Sequence, residues 1–364
     1  MNSQKTLKIS TPGRICLFGE HQDYLNLPVI AAAISKRVTV SGVKSEGQKI
    51  SVKLPDINMH EEIFLSNAIP FTKERDYLRS SINVMIRNGF TFSSGFDCLI
   101  TGDIPINTGT ASSSALVVGW INFLARISDQ QKSLTEHEIA KLAHEAEVLE
   151  FSEPGGMMDH YSTAIGGIIY LSTFPTINIE KLNCNLGYFI LGNSQEPKNT
   201  TDILSRVKNG VLKIIEKLKS KYPDFDIQSI SPESLNKYEN DISEEEYKLL
   251  FGTVRNKLIT QEAYTLMNTN FEHEKFGSLL TEHQNMLRDY LKISTNKIDR
   301  MLNAALDAGA LGGKINGSGG GGCMFAYAPF DAEKVLNAVK KIAPESYIVN
   351  IDKGSQLEIN GEEY

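Results

Sequence analysis

The 364-residue chain lacks several features that would assign it to a broad class of protein. No window approaches the ~20 apolar residues that a membrane-spanning helix needs, and residues 1–5 lack the apolar stretch of a secretory signal. There is no basic tract, and 44 acidic against 37 basic side chains give a net charge of −7, so we expect no nucleic-acid partner held by its phosphates. The four cysteines lie far apart, with no pair at metal-ligand spacing, which predicts reduced, mostly buried thiols in a cytoplasmic protein.

The order of the predicted elements indicates a mixed α+β chain. Period-2 alternation in the first hundred residues predicts mainly strands and turns. An apolar segment at residues 112–124 predicts a helix. A second helix is expected to begin at Ser133, where Glu136 would complete a capping box, and to continue to about residue 151. The simplest partition is two α+β domains, residues 1–180 and 181–364.

The first unusual segment, residues 11–24, leads from an apolar strand into a cluster of ionisable side chains. Glu20, His21 and Asp23 fall on one tight turn. Carboxylates are strong hydrogen-bond acceptors, and a cluster of them suits a polyhydroxylated ligand. The spacing alone is equally compatible with a solvated polar turn.

The second segment is a loop of small residues that leads directly into the apolar helix. Small residues let the backbone approach a ligand closely, and the unpaired N–H groups and dipole of a helix N-terminus favour a phosphate group. A serine-rich N-cap is the plainer alternative, but it would need only one serine. The residues expected at the phosphate site are Thr108, Gly109, Thr110, Ala111, Ser112, Ser113 and Ser114.

The third segment, residues 312–323, is rich in glycine. Gly317, Gly319 and Gly322 satisfy the pattern G-x-G-x-x-G, but an apolar strand follows, whereas the dinucleotide-binding fingerprint must begin a helix. Lys314 is followed by Ile315, so the P-loop pattern fails as well. Because glycines cost conformational entropy on folding, the run indicates close backbone approach to another loop or to a ligand.

Two acidic residues lie between the second and third segments. Glu147 falls along the edge of an apolar helical stripe, where it either pairs with a cation or is an ordinary surface acid. Asp159 follows a Gly-Gly turn among methionines, where an acid without a partner would be costly. A helix N-cap is an equally good reading of Asp159.

Taken together and in this order, the segments resemble the motifs of the GHMP kinase superfamily over about residues 8–330. The resemblance implies a two-domain α+β fold with the active site in the cleft between the domains. It implies ATP and Mg²⁺ as cofactors, with the serine-rich loop around the triphosphate. It also implies that the third motif, including Gly317, Gly319 and Gly320, supports that loop.

Within the superfamily, the first motif and the segment around Asp159 are most similar to galactokinases. The similarity implies that Asp159 and Arg14 are catalytic, with Arg14 beside the reacting hydroxyl. Whether Asp159 would act as a true base or as an electrostatic orienter stays open. The similarity further implies that Ser114 and Glu147 bind Mg²⁺ and that Glu20, His21 and Asp23 bind sugar hydroxyls.

The implied function is an ATP-dependent sugar 1-kinase of galactokinase type that acts on a neutral hexose. Three departures keep alternatives open: Gln22 stands where threonine is usual, Thr110 replaces the usual leucine in a context closer to heptose kinases, and the third motif is similar to mevalonate kinases. The alternatives are a mevalonate kinase-like or heptose kinase-like enzyme, or a catalytically inactive regulator that binds sugar or ATP. Glu20 and Asp23 would repel the carboxylate of mevalonate, and a pure sensor need not keep both metal ligands and a base.

Overall fold

The computed structural model describes residues 6–197, 200–359 and 362–363, so the expectation about a secretory signal concerns residues outside the described part. The strands in chain order are β1 (Leu7–Phe18), β2 (Val29–Lys44), β3 (Lys49–Leu54), β4 (Met59–Phe64), β5 (Phe96–Gly102), β6 (Ile168–Ser172), β7 (Asn178–Leu182), β8 (Tyr188–Asn193), β9 (Gly312–Ile315), β10 (Cys323–Tyr327), β11 (Ser346–Asn350), β12 (Gln356–Ile359) and β13 (Glu362–Glu363). The α-helices are α1 (Tyr77–Arg87), α2 (Ser112–Ile127), α3 (Glu136–His144), α4 (Met158–Ile165), α5 (Thr200–Lys221), α6 (Glu244–Asn268), α7 (His273–Asn285), α8 (Asn296–Asp307) and α9 (Ala332–Lys340).

Within the described residues, the strands form two sheets. The larger sheet runs β13-β12-β1-β2-β5-β3-β4, with β6 paired to both β2 and β7. Its centre is the long antiparallel pair β1–β2, and β3–β5 is its parallel pair. The smaller sheet runs β11-β8-β10-β9 with antiparallel pairs. The α+β class expected from the sequence is confirmed.

Helix α2 occupies the middle of the N-terminal half because it is apolar on nearly all sides. It packs on β1 and β2 and is covered by α1, α3 and α4. Trp120 stacks on Phe123 with ring centroids 5.6 Å apart, and Phe96 of β5 packs against both rings. The loop that leads into the helix is bonded to β1, because the backbone N–H of Arg14 donates to the Thr110 carbonyl at 3.1 Å. Helix α1 was not expected in the strand-rich first hundred residues.

The predicted capping box at Ser133 is wrong. Helix α3 begins at Glu136 with Thr135 as its N-cap, and Thr135 exchanges hydrogen bonds with Glu138. Thr135 has the extended backbone that an N-cap needs, whereas the Ser133 hydroxyl accepts a hydrogen bond from Arg126. The helix continues into a π-helical turn at Glu145–Leu149, so the helical run ends before residue 151.

The second half packs helices on the smaller sheet and shares a core with the first half. Apolar side chains of β1 pack in one cluster with those of β8, β10, α6 and α7. Strands β7 and β8, on either side of residue 185, lie in different sheets, while β12 returns to pair with β1. The division into domains at residue 180 stays a prediction.

Two further expectations concern the whole chain. The four cysteines are free thiols, and all except the half-buried Cys184 are buried, as expected. Across the described ranges, no helix combines the length and the apolarity that crossing a bilayer requires.

Candidate active site

A cavity of about 330 Å³ lies where β1, the starts of α2 and α4, and the loop between β9 and β10 come together. Thr108, Thr110, Gly319 and Gly320 do not line it. The predicted site residues that line it are Arg14, Glu20, His21, Asp23, Gly109, Ala111, Ser112, Ser113, Ser114, Glu147, Asp159 and Gly317.

Arg14 and Asp159 form a bidentate ion pair in this cavity. Arg14, in β1, is buried, and its Nε donates to Oδ1 of Asp159 at 2.8 Å while Nη2 donates to Oδ2 at 2.7 Å. Burial lowers the pKa of the guanidinium, but the charges of Asp159 and Glu20 outweigh burial and raise it. Asp159, in the first turn of α4, is 28% exposed. Its carboxylate therefore remains accessible to a ligand that fills the cavity.

Glu147 is a buried carboxylate that lies on the π-helical turn after α3. His160 of α4 bonds its Oε2 through Nε2 at 2.8 Å. Burial favours a higher pKa, but hydrogen bonds from His160, Ser113 and Ser114 outweigh it and lower the pKa of Glu147. The group is thus an anion at neutral pH, next to the start of α2.

The serine-rich loop has the backbone of an anion-binding site. Asn107, Gly109 and Ala111 have positive φ values of 57°, 90° and 58°, and such alternating conformations direct successive N–H groups into a concavity. The N-cap Ala111 provides no side-chain cap for α2, so N–H groups of its first turn are available for a ligand. Thr108 and Thr110 instead direct their hydroxyls to the carbonyl of Pro105.

The glycine-rich third motif packs directly against this loop. Gly317 has a φ of 78°, and a Cβ there would lie 2.8 Å from Cα of Gly109. Asn316 donates to the Gly109 carbonyl at 2.8 Å, and the backbone N–H of Cys323 donates to the Thr108 carbonyl at 2.7 Å. The third motif therefore holds the loop from behind.

The predicted supporting glycines Gly319 and Gly320 lie farther from the cavity. A Cβ at Gly319 would meet Ile293, and one at Gly320 would meet Ile203 at 2.2 Å. Both glycines have positive φ. They allow the loop to pack on α5 and on the segment before α8.

Glu20 forms a buried ion pair with Lys314. The Lys314 ammonium donates to Oε2 of Glu20 at 2.6 Å and to the carbonyls of Cys16 and Ile315 at 2.9 and 2.8 Å. The two side chains are 0% and 3% exposed. These three acceptors use all three protons of the ammonium group, so Lys314 has no donor left for a ligand. It neutralises the charge of Glu20 without lining the cavity itself.

His21 and Asp23 hold the turn that follows β1. His21 donates from Nε2 to the Ser318 carbonyl at 3.0 Å and accepts the Tyr24 hydroxyl at Nδ1, at 2.6 Å. Burial lowers the pKa of His21 to about 4, so the ring is neutral. Burial raises the pKa of Asp23, against the backbone N–H that Met158 donates to it.

Several residues of the site were not found from the sequence. Lys314 belongs to the third motif but has no predicted role there, although a lone cation in an apolar strand is a usable signal. His160 adjoins Asp159 but carried no signal of its own. Arg75 and Glu153 form an ion pair at the cavity rim, and nothing in their spacing indicates it.

Comparisons with known proteins identify the family of the chain. A model of the GHMP kinases N terminal domain matches residues 76–167, a model of the GHMP kinases C terminal matches residues 267–345, and a galactokinase galactose-binding signature matches residues 2–44. The chain belongs to the GHMP kinase family. It is therefore an ATP-dependent kinase with a small-molecule substrate.

Relatives of this GHMP kinase include enzymes of two substrate types. The mevalonate kinase of Thermococcus gammatolerans is 29% identical over 94% of this chain and 96% of its own length. The galactokinase of Actinobacillus succinogenes is 25% identical over 94% of this chain and 89% of its own length.

Two solved structures confirm the GHMP kinase fold. Galactokinase from Lactococcus lactis, complexed with galactose, superposes with a TM-score of 0.84 at 21% identity, over 96% of this chain and 95% of that one. Mevalonate kinase from Methanococcus jannaschii superposes with a TM-score of 0.73 at 21% identity, over 97% and 99%.

The donors at Glu147 fit the Mg²⁺ that the family implies. Within the described ranges, no group of three or more His, Cys, Asp or Glu residues is arranged to hold a metal ion alone. Mg²⁺ in phosphoryl-transfer enzymes usually binds to one or two carboxylates and to substrate phosphates. One anionic carboxylate beside serine hydroxyls and an anion-binding loop matches that requirement.

Proposed function

We propose that this kinase transfers the γ-phosphoryl group of ATP to the anomeric hydroxyl of a neutral hexose, as a galactokinase-type sugar 1-kinase. The observation that carries the proposal is the pairing of the two arginines that line the cavity. Arg14 and Arg75, the arginines that line it, are each paired with a carboxylate, and Lys314 behind it is saturated. A neutral polyol makes no demand for a further cation.

The acidic end of the cavity supports a substrate rich in hydroxyl groups. Glu20 and Asp23 line it, and carboxylate oxygens accept hydrogen bonds from hydroxyls. Asp23 is held by the N–H groups of Tyr24 and Met158, at 2.9 and 3.1 Å. His21 has protein partners at both nitrogens, so we assign it to holding the turn and Ser318 in position beside the sugar.

In the proposed mechanism, Asp159 accepts a hydrogen bond from the reacting hydroxyl and orients its oxygen toward the γ-phosphorus. As the new P–O bond forms and the bond to ADP breaks, Arg14 neutralises charge on the transferring group, and the proton of the attacking hydroxyl passes to an oxygen of the transferred phosphoryl group. The bidentate ion pair supports an orienting role for Asp159, because both of its oxygens are already directed by Arg14. Positioning and charge neutralisation supply most of the catalysis in reactions of this kind.

The serine-rich loop and the start of α2 form the end of the site that would bind the phosphates. The backbone N–H groups of residues 109–114 would bind the triphosphate, helped by the helix dipole. Glu147 and Ser114 would hold Mg²⁺, which would neutralise phosphate charge when bound. Asn316 and Gly317 would keep the loop in its binding conformation through their contacts with Gly109.

A second candidate is a mevalonate kinase. The relatives named mevalonate kinase reach 29% identity over nearly the whole chain, and the third motif resembles theirs. Mevalonate carries a carboxylate, however, and both arginines that line the cavity, Arg14 and Arg75, already have a carboxylate partner. For that reason we prefer the neutral sugar.

The test is a substrate panel with the purified enzyme. ADP release would be measured with Mg²⁺·ATP and galactose, its hydroxyl epimers, other neutral hexoses, a heptose and mevalonate, and the product would be identified by ³¹P NMR. We expect a neutral hexose to give the highest kcat/KM and an anomeric phosphate as product. A higher kcat/KM for mevalonate than for any neutral sugar would refute the sugar assignment, and binding of sugar or ATP without turnover would identify a regulator.

A further inference from the structure

The contacts of the Glu147 carboxylate assign a role to a residue that the family motifs do not explain. We propose that His160 is a positioning residue that orients Glu147 for the magnesium ion of Mg²⁺·ATP. The inference rests on the proposed roles of Glu147 and the serine-rich loop, but it does not depend on which hydroxyl compound is the substrate.

The first argument is geometric. His160 bonds Oε2 of Glu147 at 2.8 Å, and both side chains are buried, at 2% and 7% exposure. Ser113 and Ser114, at the start of α2, also donate to this carboxylate. A carboxylate held by α4 and by α2 has little freedom to rotate, so its orientation toward the cavity is set before a metal binds.

The second argument concerns the protons of the imidazole ring. A carboxylate only accepts hydrogen bonds, so Nε2 must carry a proton to bond Glu147. The other ring nitrogen, Nδ1, is buried without a hydrogen-bond partner among the described residues. An apolar side chain would fill the position without an unpaired nitrogen. His160 is therefore better explained by its bond to Glu147 than by packing.

The third argument is that neighbouring elements fix the positions of the His160 ring and of Glu147. His144 packs edge-on against His160, with ring centroids 5.2 Å apart and an interplanar angle of 84°. Glu147 lies on the π-helical turn, where the backbone N–H of Glu150 bonds the carbonyl of Glu145. Such turns widen a helix locally and often mark functional positions.

The experiment compares two amide variants that differ in reach. His160→Gln places its amide nitrogen near the position of Nε2, whereas the shorter His160→Asn places it near Nδ1 and cannot reach Glu147. Binding of a non-hydrolysable ATP analogue would be measured by calorimetry over a Mg²⁺ titration and without Mg²⁺. Glu147→Gln, which removes the anionic ligand itself, is the positive control, and circular dichroism and Tm would verify the fold of each variant.

We expect His160→Asn to raise the half-saturating Mg²⁺ concentration by about 10–100-fold, the usual consequence of losing a partner of a metal ligand. His160→Gln should stay close to the wild-type value, and metal-free analogue binding should be similar in all proteins. Equal Mg²⁺ dependence in the Asn and Gln variants would overturn the inference, and so would an equal loss of metal-free binding in both. If the wild type showed no Mg²⁺-dependent binding, the proposed function would fail as well.

Discussion

Replacement of Lys314 by methionine tests whether the buried ion pair with Glu20 organises the substrate end of the cavity. Methionine nearly preserves the length of the side chain but removes its charge and its three donors. Glu20, which is 3% exposed, would then be left without its cation. The carbonyls of Cys16 and Ile315 would also lose their bonds to the ammonium.

The expected loss of stability follows from the burial of both partners. Removal of one member of a buried ion pair typically costs about 3–5 kcal/mol, because the remaining charge is uncompensated. At about 2–4 °C per kcal/mol for domains of 150–250 residues, Tm should fall by roughly 6–20 °C. Because this chain is longer than those domains, we expect a fall in Tm near the lower end of that range.

Differential scanning calorimetry on four proteins would measure the effect: wild type, Lys314→Met, Glu20→Gln and the double variant. The double variant should be more stable than Lys314→Met, because it removes the uncompensated charge as well. Lys248→Met is the matched control. Lys248 pairs with Glu244 at 2.5 Å, but the side chains are 49% and 81% exposed, so the change should be small.

The same variant has a functional consequence. Without Lys314, the Glu20 carboxylate is free to turn away from the cavity, so KM for the hydroxyl substrate should rise while analogue affinity at the phosphate loop stays near wild type. A Tm for Lys314→Met as close to wild type as that of the surface control would refute the reasoning. So would a double variant no more stable than the single one.

The remaining predictions concern catalysis, substrate binding and pH. Asp159→Asn should lower kcat by roughly 10²-fold or more while calorimetry shows that ATP still binds; wild-type turnover would move the chemistry to another residue. A Cβ at Gly156 would lie 2.0 Å from Oδ2 of Asp23, so Gly156→Ala should raise the substrate KM about tenfold. Gly155→Ala, whose Cβ would meet its nearest atom at 3.6 Å, should leave KM unchanged, and similar values for both variants would contradict this account. Burial lowers the pKa of His21 from 6.5 to about 4, so the unfolded chain binds more protons between these values and stability falls as the pH drops through that window. The urea midpoint should therefore fall less from pH 7 to pH 5 in His21→Gln than in wild type, and identical slopes would argue against a buried neutral ring.

Local sequence was sufficient for features that depend on neighbouring residues. The serine-rich loop and α2 were predictable because small residues followed by an apolar helix are contiguous, and α2 begins at Ser112 as expected. The glycine run between two strands likewise predicts close backbone approach, and Gly317 does pack on Gly109. The position of a helix cap was harder, because Ser133 and Thr135 offer similar chemistry and only backbone conformation distinguishes them.

The α+β class, the three motifs and, through their resemblance to a family, half of the residues that line the cavity could be predicted from the sequence. The pairing of the charges, by contrast, could not be predicted from the sequence. Arg14 meets Asp159 across 145 residues, and Lys314 meets Glu20 across 294. The free energy of a charge depends on its burial and on the opposite charge beside it, and neither is set by sequence spacing. The preference for a neutral substrate therefore depends on pairings that form only when the chain folds.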